Sequence, residues 1–251
     1  MHGSPAKDEA SGAACPDFEH SILVNEYGFY CLPKKFGKRQ IARVLKHGGV
    51  YEPATLAFLR RQAGGGDVVS GGAFIGDFFP ALCEAMDSDA ILHSFEPNPV
   101  GFLAAQATIA LNGLRAVALH PVAVGEKTER QVLQVVDQDG ASLAASGKIV
   151  PGMPRTDTRG IEVDVVTLDS LVSANRPVSI LHLDVEGFEA QALRGAPHLL
   201  NERQPLVLLE AAKPRKRKQC LRVLSETAPD ADYRPCGMIE NNAVFRAFGR
   251  S

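Results

Sequence analysis

Residues 67–76 read DVVSGGAFIG, a short apolar strand that runs directly into a glycine-rich turn. The helical pattern Asp77–Met86 follows, with Pro80 tolerated in its first turn. Small residues at Ser70–Gly76 let a ligand lie against the backbone, and the helix N-terminus offers N–H groups without partners inside the helix. Because glycine-rich turns are common, this turn by itself predicts an α/β unit more firmly than it predicts a nucleotide site.

The same alternation of strands and helices continues along the chain. Further strands are predicted at Ala90–Phe95, Ala116–Val124, Ile161–Val166, Val178–Leu183 and Leu206–Leu209. Helices are predicted at Val100–Leu111, Phe188–Leu200 and Lys213–Glu226, and a final antiparallel hairpin at Tyr233–Cys236 and Ala243–Phe248. This order indicates an α/β fold with a Rossmann-like, doubly wound, mostly parallel sheet and a C-terminal antiparallel hairpin.

The segment before the first strand of this sheet has a different character. Residues 1–20 are small and polar and are predicted to be disordered, whereas 21–33 alternates like a strand or hairpin. Helical patterns follow at Lys38–Lys46 and Pro53–Gln62. We therefore expect residues 1–63 to form a partly disordered N-terminal extension whose strand and helices cap the cleft, and residues 64–251 to form the Rossmann-like domain.

Composition excludes several classes of protein. The net charge of −2 gives no basic field for nucleic acid, and the run KPRKRK at 213–218 is interpreted as a solvated loop or helix start. No stretch of apolar residues is long enough for a membrane helix, and the N-terminal residues lack the apolar region of a signal peptide. A cytoplasmic protein is therefore expected. Five scattered cysteines indicate neither a disulfide framework nor a zinc site. The oligomeric state is left open, with a homodimer possible.

Polar residues follow three of the predicted strands, at the edge where open α/β sheets bind ligands. The first group is the glycine turn, and the second is Glu96, which ends the next strand. A carboxylate there is placed to accept hydrogen bonds from the ribose hydroxyls of an adenine nucleoside. Its simpler role is to cap the segment at Pro97.

The third group is DVEGFE at 184–189, after the most apolar strand of the chain. Asp184 and Glu186 are candidates to orient a substrate or to act on its proton, and either also suits a helix cap. His182 is a further candidate base, although a histidine within a strand is more often a core residue. Asp184 and Glu210 end neighbouring strands and could share a divalent cation such as Mg²⁺ through oxygen ligands.

These motifs carry a family resemblance. Their order resembles that of FkbM-type S-adenosylmethionine-dependent methyltransferases, which have a glycine motif, then F-E-P-N-P, T-L-D-S-L and D-V-E-G-x-E. The matching segments are Gly72–Gly76, Phe95–Pro99, Thr167–Leu171 and Asp184–Glu189, with Tyr51-Glu52-Pro53 upstream and Leu208-Leu209-Glu210 downstream. The resemblance covers residues 50–248, and F-E-P-N-P and D-V-E-G-x-E in this order are its specific part.

The resemblance implies a class I methyltransferase architecture and S-adenosylmethionine as the cofactor. It implies methyl transfer to a hydroxyl of a small molecule such as a sugar or polyketide. The cofactor-binding residues it implies are Ser70, Gly72, Ala73, Gly76, Glu96, Asn98 and Glu52. The chain departs from the family pattern D-V-G-A-N-I-G, with Ser70 for the Asp that helps hold the methionine end and Phe74 for the Asn. It also has His182 where the family tends to place Lys.

Two other classes of function compete with this interpretation. A glycine turn followed by an acidic residue also marks NAD(P)-dependent oxidoreductases, but this turn is not G-x-G-x-x-G and no Tyr-x-x-x-Lys pair follows. Because Ser70 stands where the family has Asp, the sequence is also consistent with a non-catalytic nucleoside-binding protein with a degenerate site. Hydrolase and nucleoside triphosphatase motifs are absent from the sequence.

Overall fold

The computed structural model describes residues 16–137, 143, 147–150, 154 and 157–249, and these residues form a large twisted sheet with a smaller sheet beside it. The strands are β1 His20–Asn25, β2 Gly28–Pro33, β3 Asp67–Gly71, β4 Leu92–Phe95, β5 Val117–His120, β6 Ala123–Val124, β7 Glu129–Gln134, β8 Lys148–Ile149, β9 Gly160–Val166, β10 Val178–Leu183, β11 Leu206–Glu210, β12 Tyr233–Ile239 and β13 Asn242–Ala247. The helices are α1 Gln40–Lys46, α2 Pro53–Gln62, α3 Phe79–Ala85, α4 Pro99–Leu111, α5 Leu168–Leu171, α6 Glu189–Arg194 and α7 Pro214–Thr227.

The large sheet has seven strands in the order β12-β13-β11-β10-β3-β4-β5. All of them run parallel except β13, which is antiparallel to both of its neighbours. The chain moves outward from β3 to β5 and then returns to β10 on the other side of β3. The predicted α/β fold with a mostly parallel sheet and a C-terminal hairpin is therefore confirmed, and the crevice between β3 and β10 is where such sheets bind ligands.

Successive residues of the central strands face opposite sides of the large sheet. Val69, Leu181 and Leu209 belong to a core shared with α6 and α7, whereas Val68, Ile180 and Leu208 belong to a core shared with α2 and α3. Because helices cover both faces, each central strand reads as a continuous apolar run instead of an alternating pattern.

The chain between β5 and β10 builds the smaller sheet, in the order β6-β9-β7-β8. Ala116–Val124 was predicted as one strand, but β5 ends at His120 and β6 begins at Ala123 in the other sheet. Pro121 lies at this break, where its missing N–H cannot serve a sheet ladder. The predicted strand Ile161–Val166 is β9, and it pairs in the smaller sheet instead of the central one.

Helix boundaries also differ from the predictions for local reasons. The helix predicted at Phe188–Leu200 is split, since α6 ends at Arg194, with Gly195 as its C-cap, and a short π-helical turn follows at Leu199–Arg203. A side chain at Gly195 would place its Cβ 2.0 Å from the Gly125 carbonyl oxygen, so the two backbones approach this closely only because residue 195 is glycine. Similarly, α3 begins at Phe79 and not at Asp77, as the chain first leaves the left-handed Gly76 (φ +75°).

The N-terminal segment forms the predicted hairpin from β1 and β2 and lies along α4. The Cys31 N–H donates to Thr108 Oγ1 at 3.2 Å, and Asn112 exchanges two hydrogen bonds with the Phe29 backbone. The predicted disorder of residues 1–20 falls mainly outside the described residues, and within them β1 begins at His20. No helix of the described part of the chain combines the length and apolar content needed to cross a membrane.

Candidate active site

A cleft opens at the carboxyl ends of β3, β4, β10 and β11. Its wider part has a volume of about 280 Å³, and a narrower slot of about 50 Å³ continues from it beneath the smaller sheet. Four residues line both parts: Gly72, Glu96, Asp184 and Glu186. The structure therefore brings the candidate residues from three separate sequence motifs to one continuous cavity.

The glycine turn forms the floor of this cleft, where the loops after β3 and β10 touch. Gly72 is left-handed (φ +83°), and an added Cβ would lie 2.0 Å from the carbonyl oxygen of Asp184. Ala73 donates its N–H to the Phe95 carbonyl at 3.1 Å, which ties the turn to β4. Packing within the protein thus requires a glycine at position 72.

Phe74 has a conformation that side chains rarely adopt, with a φ of +48°. Asn, which the family pattern carries at this position, tolerates the left-handed region better than Phe does. In this chain the Phe74 ring is buried and stacks on Phe36 at 5.3 Å between ring centroids. The replacement therefore exchanges a conformationally suited residue for one that packs the glycine turn against the N-terminal segment.

Glu96 lies at the junction of the two parts of the cleft. Its Oε2 accepts the Phe74 N–H at 2.8 Å and its Oε1 accepts the Asn98 N–H at 2.9 Å. Burial raises the pKa of Glu96 to about 7. Asn98 uses its own side chain to cap α4 by accepting the Val100 N–H, so its predicted role toward a cofactor competes with a structural one.

The slot beside Glu96 is largely apolar. Its described lining includes Pro97, Ala123, Val124, Ile149 and Phe188, from both sheets and from the D-V-E-G-x-E motif. An apolar slot that ends at a carboxylate suits a nucleoside, because a flat base packs on apolar side chains while ribose hydroxyls donate to the carboxylate. The residues present thus fit the adenosine part of S-adenosylmethionine.

Asp184 lies next to the glycine turn and lines both parts of the cleft. It follows β10, and the parallel register of Leu183 with Leu209 places it beside Glu210, as the sequence predicts. The pKa of Asp184 is raised well above its usual value, first by burial and then by the charges of Glu210 and Glu186. A carboxylate with such a pKa is a stronger proton acceptor than a solvated aspartate.

Glu189 and Lys216 adjoin the carboxyl groups of Asp184 and Glu210 and were not among the predicted site residues. Glu189 is 1% exposed, and its Oε1 accepts the N–H groups of Val185 at 3.3 Å and Gly187 at 3.2 Å. The Lys216 ammonium lies 3.1 Å from Glu189 Oε2 and 2.9 Å from Glu210 Oε2. The run at 213–218 does start a helix as predicted, but this lysine of the run is an internal ion-pair partner and not a solvated charge.

His182 and Ser70 form a buried pair between β10 and β3. Ser70 Oγ and His182 Nδ1 lie 3.1 Å apart, and the Phe78 ring stacks on the imidazole at 5.9 Å. Burial lowers the pKa of His182 to about 4, so the ring is neutral and a weak base at neutral pH. These contacts favour the core interpretation of His182 over the role of catalytic base.

Carboxylates also form the wall that the N-terminal segment contributes. Glu52, itself left-handed at φ +42°, accepts a hydrogen bond from Asn242 at 2.9 Å, and burial raises its pKa. Burial, with a contribution from Glu52, raises the pKa of Asp77 to about 7. Arg39 is the only arginine or lysine that the described residues contribute to the cleft lining. The described lining of the cavity therefore holds many more carboxyl groups than basic groups, which suits a cationic cofactor.

Sequence reasoning missed Asp77, Glu189 and Lys216 for different reasons. Asp77 directly follows the glycine turn, and Glu189 is the last carboxylate of a motif already recognised, so proximity to a motif could have indicated both. Lys216 lies in a basic run typical of solvent-exposed helix starts. Only the packing of α7 against α6 shows where its ammonium lies.

The fold and the cleft define a class: a class I methyltransferase sheet with an apolar slot that ends at a carboxyl group, at the switch point of the sheet. Residues 70–235 match the family model for the methyltransferase FkbM domain, which is more than half of the chain. The chain belongs to the FkbM methyltransferase family. This assignment favours the methyltransferase over the oxidoreductase interpretation. A search of curated proteins finds no match to the chain.

Solved structures with a similar fold include other methyltransferases. One is the tRNA (uracil-54, C5)-methyltransferase of Pyrococcus abyssi in complex with S-adenosyl-L-homocysteine, with a TM-score of 0.48, 11% identity, and coverage of 91% of this chain and 44% of that chain. Trm5b from Pyrococcus abyssi has a TM-score of 0.45 and 13% identity over 93% of this chain and 57% of that chain. TYW2 of M. jannaschii in complex with AdoMet has a TM-score of 0.46 and 14% identity over 93% and 89%. The chain thus spans less than two thirds of the first two structures.

Proposed function

We propose that this methyltransferase transfers the methyl group of S-adenosylmethionine to a hydroxyl group of a small polar molecule. The observation that carries this proposal is Asp184, a carboxyl group with a raised pKa at the floor of the cleft beside Gly72. A hydroxyl is a poor nucleophile until it loses its proton, so its methylation calls for a base of this kind.

The cofactor has a natural position in the two parts of the cleft. Its adenine suits the apolar slot, and its ribose hydroxyls suit Glu96. The turn at Gly72, Ala73 and Gly76 would lie along its length. Its methionine end, which carries an ammonium group, suits the acidic wall formed by Glu52 and Asp77, since Ser70 is already paired with His182.

Each step of the chemistry has a residue of this chain in position. S-adenosylmethionine supplies an electrophilic methyl group on a sulfonium. Asp184 in its carboxylate form would accept the proton of the acceptor hydroxyl as the oxygen–methyl bond forms and the sulfur–methyl bond breaks, with S-adenosylhomocysteine as the leaving group. Glu186 would orient the acceptor from the same loop. Holding the two reactants in one cleft supplies about 7–11 kcal/mol of the barrier.

The charge of the cleft supports a small acceptor in preference to a nucleic acid. Four carboxyl groups other than Glu96 line its wider part, Glu52, Asp77, Asp184 and Glu186, against the single guanidinium of Arg39. A phosphate backbone requires the opposite sign of charge, because its affinity comes mainly from lysine and arginine contacts. A polyhydroxylated molecule such as a sugar or a polyketide can instead donate hydrogen bonds to these carboxylates.

The test is transfer of isotope-labelled methyl groups from S-adenosylmethionine to matched acceptors. The panel pairs hydroxylated sugars and phenols with their deoxy or O-methylated counterparts, and includes bulk transfer RNA. We expect label only in acceptors with a free hydroxyl, as an ether identified by NMR. Label in RNA, or on nitrogen or carbon of an acceptor, would contradict the proposed acceptor class while leaving the family assignment intact.

A further inference from the structure

The carboxylates beside the cleft form a group with the geometry of a cation site. One carboxylate oxygen from each of Asp184, Glu189 and Glu210 lies within 4.8 Å of the others. Oxygen ligands at such distances suit Mg²⁺, Ca²⁺ or Mn²⁺. A divalent cation shared by Asp184 and Glu210 is therefore a natural expectation, and the surrounding residues decide whether it fits.

The ammonium group of Lys216 already forms ion pairs with two of these carboxylates. The Lys216 ammonium is 2.9 Å from Glu210 and 3.1 Å from Glu189, and its side chain is only 26% exposed. A divalent cation that took two of the three acids as ligands would bring its charge next to this ammonium, which makes its binding unfavourable.

We propose that Lys216 is the resident counter-ion of Glu189 and Glu210 in the group Asp184, Glu189 and Glu210, that it takes the place of a divalent cation there, and that it acts as the positioning residue for the 184–187 loop. The connection runs through Glu189, which contacts Lys216 with one oxygen and the backbone N–H groups of Val185 and Gly187 with the other. The loop held in this way lines both parts of the cleft.

The proposal depends on cofactor binding and not on the identity of the acceptor, so its test uses no acceptor. Calorimetry measures Mn²⁺ and S-adenosylhomocysteine binding to the wild type, Lys216→Met and Lys216→Arg. Lys218→Met is the matched control, because Lys218 is an exposed lysine of the same helix. A separate thermal-unfolding measurement verifies that each variant is folded, and Lys216→Gln replaces the Met variant if that one is not.

We expect the wild type and Lys218→Met to bind S-adenosylhomocysteine equally, without a response to Mn²⁺ or EDTA. Lys216→Met should bind Mn²⁺ at least about tenfold more tightly than the wild type, because removal of the ammonium leaves Glu189 and Glu210 without their counter-ion. Its affinity for S-adenosylhomocysteine should fall by about tenfold and recover when Mn²⁺ is added. Lys216→Arg should retain wild-type affinity, since it keeps the charge.

Two results would overturn the proposal. Mn²⁺ binding by the wild type as tight as by Lys216→Met would show that the carboxylates are a metal site and that the lysine yields to the ion. Unchanged S-adenosylhomocysteine affinity in a folded Lys216→Met, with or without Mn²⁺, would show that the lysine does not position the loop. Neither result bears on whether the acceptor carries a hydroxyl.

Discussion

Two buried carboxyl groups, Glu96 and Asp184, face the same cleft in opposite surroundings. Glu96 receives two backbone N–H groups, one on each oxygen, and its pKa is raised by burial to about 7. Asp184 is surrounded by other acids, and its pKa is raised by burial together with their charges. The first group is held in a fixed orientation, whereas the second is placed among like charges that favour its protonated form.

This difference separates binding from chemistry. A carboxylate with both oxygens oriented by the backbone is suited to accept hydrogen bonds from a neutral partner such as a ribose. A carboxyl group whose charged form is disfavoured by its neighbours is suited to take up a proton during a reaction. The comparison predicts that variants at the two positions affect different measurements.

The largest effect is expected for Asp184→Asn on turnover. The amide keeps the size of the side chain but cannot accept the acceptor proton, so turnover should fall by about 10²-fold or more. Affinity for S-adenosylhomocysteine, measured by calorimetry, should change little. If the variant turns over an accepted substrate at a near-normal rate, Asp184 serves to position the loop, and Glu186 becomes the next candidate base.

For Glu96→Gln the expected result is the reverse, with a loss of cofactor affinity. The hydrogen bonds of a charged group to ribose contribute about 1.5–3 kcal/mol, so S-adenosylhomocysteine should bind more weakly by that amount. Calorimetry at neutral pH measures this loss. A folded variant with wild-type affinity would remove Glu96 from the cofactor site.

The pH dependence of binding sharpens the same assignment. Because the pKa of Glu96 is about 7, the carboxylate that accepts ribose hydrogen bonds is the minor form below that pH and the major form above it. Wild-type affinity for S-adenosylhomocysteine should therefore rise from about pH 6 to about pH 8, and Glu96→Gln should lack this rise. An equal rise in both proteins would assign the titration to another group, such as Asp77.

The smallest effect concerns the contact that joins the two halves of the site. Gly72→Ala and Gly187→Ala both place a side chain at positive φ, +83° and +96°, but only the first Cβ meets another atom, the Asp184 carbonyl oxygen. Both variants should be destabilised because alanine disfavours a left-handed backbone. The free energy of unfolding in urea should be lower for Gly72→Ala than for its control Gly187→Ala by about 1–3 kcal/mol. Equal stabilities would mean that the loops after β3 and β10 separate without cost.

Local patterns were sufficient for most of the fold but not for the smaller sheet. Apolar runs such as Val178–Leu183 mark central strands because both faces of the large sheet are covered. The pattern of Ile161–Val166 is equally strand-like, yet it does not tell which sheet the strand joins. That choice depends on a break at Pro121, forty residues earlier in the chain, which a local window does not contain.

The sequence by itself determined most of the order of strands and helices, the family, and the place of Glu96, Asp184 and Glu210 at strand ends along one edge of the sheet. These follow from short-range periodicity and from the rule that parallel strands end at one edge. Only the tertiary structure decided the charge state of the site: the raised pKa of Asp184, the neutral His182 paired with Ser70, and the Lys216 ammonium beside Glu189. Ionisation depends on burial and on distances between residues far apart in the chain, and neither quantity is present in a linear pattern.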